Sequence, residues 1–304
     1  MTAASTFDFA RTLAFLRGFP PCRGDFVIGP DHLSGAFAVA AHEGEDRAVA
    51  YTVRAAAGGL AVEADDARVV PMLAAFLGSD DEMDAFYAAS EGDIPAYRRI
   101  VAALRGLHHV RFPTLAEVTV HAVLAQRTPI AVAGAQKRKV AQALGPRARL
   151  GGRELVAFPT LERAAELEPA DWSAIVGHAG KSERLTTVVR GVAALGERWL
   201  RAAPYPAADQ ALRAIAGVGP FSAGMILLRG LGRTDDVPLE TAGIADVARA
   251  VYGPGWDPAA TRRRYGTDLG LWSYYLKAGA GHAAPPPRTL GVAPACAMGD
   301  TVAT

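Results

Sequence analysis

Two cysteines in 304 residues, Cys22 and Cys296, leave nothing from which to build a disulfide framework. Neither has a second cysteine or a histidine at ligand spacing, which speaks against structural zinc and an iron–sulfur cluster. Long apolar runs are also missing. Stretches such as Ala214 to Val218 and Met225 to Leu228 fall far short of the ~20 residues of a membrane span, and Asp8 and Arg11 stand where a signal peptide would be apolar. The expected address is the cytoplasm and the expected state a monomer. No sign of charge is in excess either, since the formal net charge is +1. What is present is material for a core: 50% hydrophobic against 21% charged residues, enough to set aside global disorder and coiled coils. The length suggests about two domains.

The near-zero net charge conceals an asymmetry. Residues 1–100 hold 8 Lys and Arg against 15 Asp and Glu, whereas residues 101–304 hold 24 against 16. Such a split is expected when one part of a protein faces a polyanion, although charge also drifts between domains without purpose.

The pattern of apolar residues divides the chain at about the same place. Leu33 to Ala40, Ala48 to Arg54 and Leu60 to Glu63 are short Val-, Ala- and Tyr-rich segments separated by polar or glycine-bearing stretches, which predicts a small antiparallel sheet. From Val69 the period becomes helical, with Val70, Leu73, Phe76 and Leu77 and later Ile100, Leu104, Val118, Val123 and Leu124. Prolines at 113, 129, 159, 169, 204 and 206 punctuate the remainder into a bundle of about eight or nine short helices. The expected fold class is therefore α+β: a small α+β domain over 1–100, an all-α bundle over 101–278, and an Ala-, Gly- and Pro-rich tail over 279–304 expected to be disordered.

The most informative stretch runs from Leu212 to Arg229. Leu212 and Ile215 share a helix face that ends in Gly217-Val218-Gly219, and a second helix opens at Pro220 with Ser222 in its first turn. Glycines allow a tight turn and close backbone approach, proline suits the first helical position, and the free amides of the second helix can receive an anion. This is a helix-hairpin-helix pattern able to grip a nucleic-acid phosphate. A G-x-G between helices also serves mere geometry in many αα-corners.

Gly217 to Leu228, followed by Leu231 to Ile244, resembles the helix-hairpin-helix base-excision DNA glycosylases, and most nearly the bacterial 3-methyladenine DNA glycosylase II type. The segment Phe7 to Leu16 looks like the opening of that type's small α+β domain. Phe112 to Gln126 is similar to its first bundle helix, while Phe158-Pro159-Thr160 and Leu271 to Leu276 fall in family order. The resemblance implies a monofunctional N-glycosylase that extrudes an alkylated base from double-stranded DNA and hydrolyses its glycosidic bond with water, without a cofactor or a metal. Strand-cleaving relatives use a lysine in the second hairpin helix. Here lysine occurs only at 137, 139, 181 and 277, and Phe221 follows Gly219-Pro220, so lyase activity is not expected.

One position departs from the family. The resemblance places a catalytic Asp in a Pro-x-x-Asp-hydrophobic-Gly context, and aligned on Pro238 and Gly243 this chain has Thr241 there, with Glu240 as the adjacent carboxylate. A neutral hydroxyl supplies no anionic field for an oxocarbenium-like transition state. Three readings stay open: Glu240 reaches the sugar instead, the site acts slowly on cationic lesions that leave readily, or the protein binds damaged or distorted DNA without cutting it. Asp246 lies further along the following helix. For the base pocket the resemblance implies Trp272, and with it Tyr274, Phe221 and Gln126. For the phosphates it implies Gly217, Gly219, Ser222 and Arg127. Core packing would account for the same aromatics. Lys137-Arg138-Lys139, Arg147 to Arg153 and Arg262-Arg263-Arg264 read as solvated or polyanion-facing clusters, and His108-His109 as surface or boundary residues.

Overall fold

A computed structural model describes residues 1–41 and 45–284, with Ala242 described in its backbone only. Helix α1 (Phe9–Gly18), capped by the Asp8 carboxylate accepting from the Arg11 amide, leads into a four-stranded antiparallel sheet. Its strands are β1 (Val27–Ile28), β2 (His32–Ala40), β3 (Asp46–Ala56) and β4 (Gly59–Ala64), in the order β1-β2-β3-β4. The three longer strands lie where period-2 patterning predicts them. Register pairs Leu33 with Val53, Gly35 with Tyr51 and Phe37 with Val49, so one face is apolar throughout. Gly35 is needed there, because a Cβ would stand 2.5 Å from the Tyr51 hydroxyl that lies across it.

Helices α2 (Val69–Leu77), α3 (Asp84–Glu91) and α4 (Pro95–Leu104) follow. They do not close a separate core. Leu33, Phe76, Phe86 and Tyr97 pack in one cluster with Leu269, Trp272 and Tyr275 from near the other end of the described chain. The sheet domain and the last helix are thus mortised together.

The second cluster surrounds α5 (Leu115–Leu124), every residue of which is buried. Thr114 caps it by accepting from the Glu117 amide at 3.1 Å. Around it run α6 (Ile130–Leu144), a hairpin of β5 (Arg147–Leu150) and β6 (Arg153–Val156), α7 (Leu161–Ala165), α8 (Pro169–Val176) and α9 (Ala179–Leu195). Then come α10 (Glu197–Ala202), α11 (Tyr205–Ala214) and α12 (Pro220–Gly224), the last continuing as a π-helical segment, Met225–Gly230. Helices α13 (Ala242–Tyr252), α14 (Pro258–Tyr265) and α15 (Leu269–Gly279) complete the bundle.

The helices after residue 104 outnumber the eight or nine expected, because α7, α10 and α12 are too short to show a period. The β5–β6 hairpin was not anticipated either. Gly151 and Gly152, with φ of 55° and 77°, form its two-residue turn, so the basic run there is a pair of strands. After α15 a 3₁₀ turn covers Ala280–His282, and the Ala283 carbonyl accepts from Arg99 at 3.0 Å. The remainder of the expected disordered tail, from 285 onward, lies outside the described residues.

Two further expectations are corrected by burial. His108 and His109 are both fully buried, not at the surface: His108 bonds Thr6 and the Gly78 carbonyl, and His109 stacks edge-on against Tyr274 at 4.7 Å. Lys137 is not a solvated charge. It lies in the core between Asp25, at 2.6 Å, and Glu117, with the Cys22 thiol 3.7 Å away. Apolar neighbours in the chain carry these polar groups inward; His108 and Lys137 find partners there, whereas both ring nitrogens of His109 are buried without one.

Candidate active site

The hairpin is where the sequence places it. Helix α11 ends at Ala214, and the turn closes with the Val218 amide donating to the Ile215 carbonyl at 3.0 Å. Gly217 has φ of 94°, and a Cβ there would also meet the Arg184 side chain at 2.7 Å, so this glycine is obligatory. Gly219 differs. Its φ of −95° suits any residue, and a Cβ there would have nothing within 4 Å. The space in front of the first amides of α12 is therefore open, as an anion-receiving helix end requires.

Gln126, expected in the base pocket, braces this turn instead. Its Nε2 donates to the Gly217 carbonyl at 2.9 Å and to Ser222 Oγ at 3.1 Å, and its Oε1 accepts from Arg184 at 2.7 Å. Ser222 is consequently buried behind the turn, with its hydroxyl accepting that bond. Arg127 is exposed and held at φ of 51°, an uncommon conformation for a side-chain-bearing residue, which turns the chain sharply between α5 and α6 beside the hairpin.

Next to the hairpin opens a cavity of about 360 Å³. Its walls draw on several parts of the chain: Phe15 and Phe19 from α1 and the residue after it, His121 from α5, Phe221 and Arg229 from the hairpin's second helix and its continuation, Pro238 and Thr241 from the following loop, and Tyr274 and Lys277 from α15. The π-helical segment carries Met225, Leu228 and Arg229 into this wall. Its wider turn, closed by the Leu231 amide donating to Ile226 at 3.1 Å, shifts the register of the helix as it meets the cavity. Phe221, 47% exposed, stands at the rim together with Ile130. Tyr274 is in the wall as expected.

Trp272 is not. It is fully buried, stacked on Trp256 at 5.9 Å with 7° between planes, and its indole N–H donates to the Tyr252 hydroxyl at 2.8 Å. On α15, positions 272 and 274 point to different sides: Tyr274 lines the cavity, whereas Trp272 packs among Tyr97, Tyr252, Trp256 and Tyr265.

The two candidate catalytic residues also part company. Thr241 reaches the cavity wall, with Oγ1 donating to the Pro238 carbonyl at 2.9 Å. Glu240 faces the other way. Its carboxylate accepts from Arg262 at 2.8 Å, and this hydrogen bond holds its pKa below the ordinary carboxylate value. It lines an adjoining surface depression with Arg213 and Asp236, not the cavity, although Val237, Pro238 and Thr241 border both. Asp246, on α13, is paired with Arg249 at 3.4 Å. Among the described residues no carboxylate lines the cavity.

The cations there were not foreseen. Arg229 lies with its guanidinium 4.8 Å over Phe19 and 5.0 Å over Tyr274, and one Nη donates to the Val110 carbonyl at 2.9 Å. Its Nε is buried without a partner. Lys277 stands on the same wall, its pKa lowered by desolvation and then by Arg229. Burial and the neighbouring cations bring the pKa of His121 down to about 3, so its imidazole is neutral at physiological pH. A repeating apolar pattern names none of these three, since each sits at a helical position that could equally face solvent.

A hairpin with an open amide end, set beside an aromatic cavity and followed by a loop and helix that close its far wall, is the architecture of the helix-hairpin-helix DNA glycosylases, and the chain has that fold. It superposes on the 3-methyladenine DNA glycosylase of Archaeoglobus fulgidus with a TM-score of 0.75 at 19% identity, covering 92% of this chain and 98% of that one. The 8-oxoguanine glycosylase/lyase of Clostridium acetobutylicum gives 0.63 at 14% identity over 84% and 98%. In sequence, the chain is 28% identical over 167 residues to DNA-3-methyladenine glycosylase of Bacillus subtilis, 54% of this chain and 55% of that protein. It is 30% identical over 190 residues to the probable bifunctional transcriptional activator/DNA repair enzyme AlkA of Mycobacterium tuberculosis, 61% and 37%. The matches thus span about half the length of these relatives or less. No family model matches the chain. The resemblance read from the hairpin and its flanking segments holds.

No helix among the described residues is long and apolar enough to cross a membrane.

Proposed function

We propose that the protein is a monofunctional DNA N-glycosylase of the 3-methyladenine type. It draws an alkylated base out of double-stranded DNA into the cavity and hydrolyses the glycosidic bond, as the first step of base-excision repair. It works as a monomer in the cytoplasm and needs no cofactor. The observation that carries this reading is the cavity itself: concave, about 360 Å³, walled by aromatic rings and opening directly beside a hairpin whose helix end is free for a phosphate. The relatives named for 3-methyladenine excision support the lesion class.

A duplex held at the hairpin places its backbone against the α12 amides and Arg127, and the extruded base between Phe221 and Tyr274. The exposed apolar side chains of Ile130 and Phe221 stand at the mouth and suit the gap an extruded nucleotide leaves in the stack. The test is release of methylated purines from alkylated duplex under single-turnover conditions. Accumulation of abasic sites is the expected result. A protein that neither releases base nor prefers alkylated over unmodified duplex would end this reading. One observation favours a second reading, recognition of damage without cleavage: no carboxylate stands at the cavity. Preference for alkylated duplex without release is its signature.

The hairpin has a clean test of its own. Gly219→Asp adds a side chain into open space at the N-cap of α12, where aspartate is favoured, so the fold is spared while an anion occupies the phosphate position. Affinity for duplex should fall at least tenfold, and the dependence of binding on salt should become shallower by about one phosphate contact. Unchanged affinity in this variant would remove the hairpin from the interface.

A further inference from the structure

We propose that Arg229 is a catalytic residue: its guanidinium, fixed at the inner end of the cavity, meets the edge of the extruded purine farthest from the sugar and drives the ring's positive charge onto the sugar as the glycosidic bond breaks. The inference rests on the base-pocket reading above and says how that site hydrolyses a cationic base with no carboxylate in its wall.

The second hairpin helix and its continuation run inward from the mouth. Phe221 is 47% exposed at the rim, and Arg229 stands two turns further along, roughly 12 Å at the rise of a helix. There the guanidinium is clamped. It lies 4.8 Å over Phe19 and 5.0 Å over Tyr274, Nη2 donates to the Val110 carbonyl at 2.9 Å, and Nε is enclosed without a partner, which leaves Nη1 as the edge turned to the cavity. Among the described residues no Asp or Glu in the wall offsets this charge. Lys277 is exposed and screened by solvent, and His121 is neutral at physiological pH. The enclosed cation is therefore Arg229.

A purine alkylated at N3 or N7 is a fixed cation while it is attached to the sugar, and it leaves as a neutral base. As the C1′–N9 bond breaks, its electron pair enters the ring and the positive charge passes to C1′ and O4′ of the sugar; water then adds at C1′ and gives its proton to solvent. The far edge keeps an unalkylated acceptor in both lesions, N1 of 3-methyladenine and O6 of 7-methylguanine. That acceptor becomes more basic as the charge leaves the ring, so a donor cation fixed beside it interacts better with the transition state than with the bound substrate. Ground-state binding falls to the aromatic rings, Phe221 at the rim foremost. At the outer end Thr241, which borders both the cavity and the surface depression beside it, has given its hydroxyl hydrogen to Pro238 and presents oxygen lone pairs to the charge arriving on the sugar.

The test is single-turnover release of 3-methyladenine from methylated duplex at increasing protein concentration, which separates the rate at saturation from the affinity. Arg229→Gln should lower the saturating rate by at least about thirtyfold while half-saturation stays within about twofold of the wild type or tightens, because only the transition state loses an interaction. A residue that merely packed the wall would weaken both. Arg229→Lys keeps a cation without the fork, and burial lowers the pKa of such an ammonium, whereas arginine does not titrate. The rate of this variant relative to the wild type should therefore fall at least about tenfold from pH 6 to pH 9, as the charge is lost. This second variant decides the matter should Arg229→Gln not fold. Release by Arg229→Gln within about threefold of the wild type, or a flat ratio for Arg229→Lys across that range, overturns the inference, while release by the wild type leaves the base pocket standing. No release by the wild type ends the base-excision reading, and the inference with it.

Discussion

Lys137→Met is expected to destabilise the protein by about 3–5 kcal/mol at neutral pH, the usual cost of removing one partner from a buried ion cluster. The ammonium is fully enclosed and is, among the described residues, the only cation bonded to Glu117 and Asp25, and burial raises the Glu117 pKa while Lys137 holds it down. Without Lys137 two carboxylates share one dry site at the junction of the 3₁₀ turn Pro20–Cys22, α5 and α6. The pH dependence follows. In the variant the folded-state pKa of Glu117 lies further above its unfolded value near 4.5. The folded state thus binds more protons than the unfolded one across that interval, and the penalty is full above the raised pKa and fades as pH falls toward 4.5. Urea unfolding of the wild type and the variant at pH 7.5 and pH 5 measures both effects. A loss below 1 kcal/mol at pH 7.5, or a loss that grows on acidification, would contradict the cluster as the structure has it. Adding Asp25→Asn and Glu117→Gln should recover much of the loss, because no unpaired charge then remains.

Lys137 also shows where sequence reading stops. Its neighbours Arg138 and Lys139 make it one of a basic run, and nothing local distinguishes the one that turns inward; Asp25 and Glu117 stand 112 and 20 residues away. Elements set by local pattern were legible: three strands from alternation, α2 from its period, and the hairpin from two glycines and a proline. Elements set by tertiary context were not. The β5–β6 turn carries a Gly-Gly signal that its flanking arginines obscured. The cavity followed the same division. Phe221 and Tyr274 were readable from the family motif, but on α15 an interval of two residues separates the cavity side from the core side, and the more prominent aromatic, Trp272, belongs to the core. Gln126 was read as a base-pocket residue, not as the brace that fixes the Gly217 carbonyl. Arg229 and Lys277 become meaningful only when the absence of a facing carboxylate is seen in three dimensions.

Thr241→Asp should accelerate base release from methylated duplex by about 10²–10³, the range by which one preorganised electrostatic group alters a charged transition state. Three features of the site favour a productive carboxylate. Thr241 is already in the cavity wall, so the new side chain needs no long reach. It is the N-cap of α13 with φ of −68° and ψ of 138° and makes no capping bond, a backbone that aspartate adopts readily and a helix end that keeps it ionised. The Pro238 carbonyl, which accepts the threonine hydroxyl, repels a carboxylate and turns it away from the loop. The new charge also offsets Arg229 and Lys277, which stand in the same wall with no facing carboxylate among the described residues. Glu240→Gln serves as the control. Its carboxylate is bound to Arg262 outside the cavity, so release should change less than twofold in either background. Loss of release in Glu240→Gln would restore that glutamate to the chemistry by way of a loop movement that breaks its bond to Arg262. A Thr241→Asp protein that folds and binds duplex yet releases base no faster than the wild type would mean that the sugar does not approach residue 241. The scissile bond would then have to be sought nearer Lys277, at the other side of the same cavity.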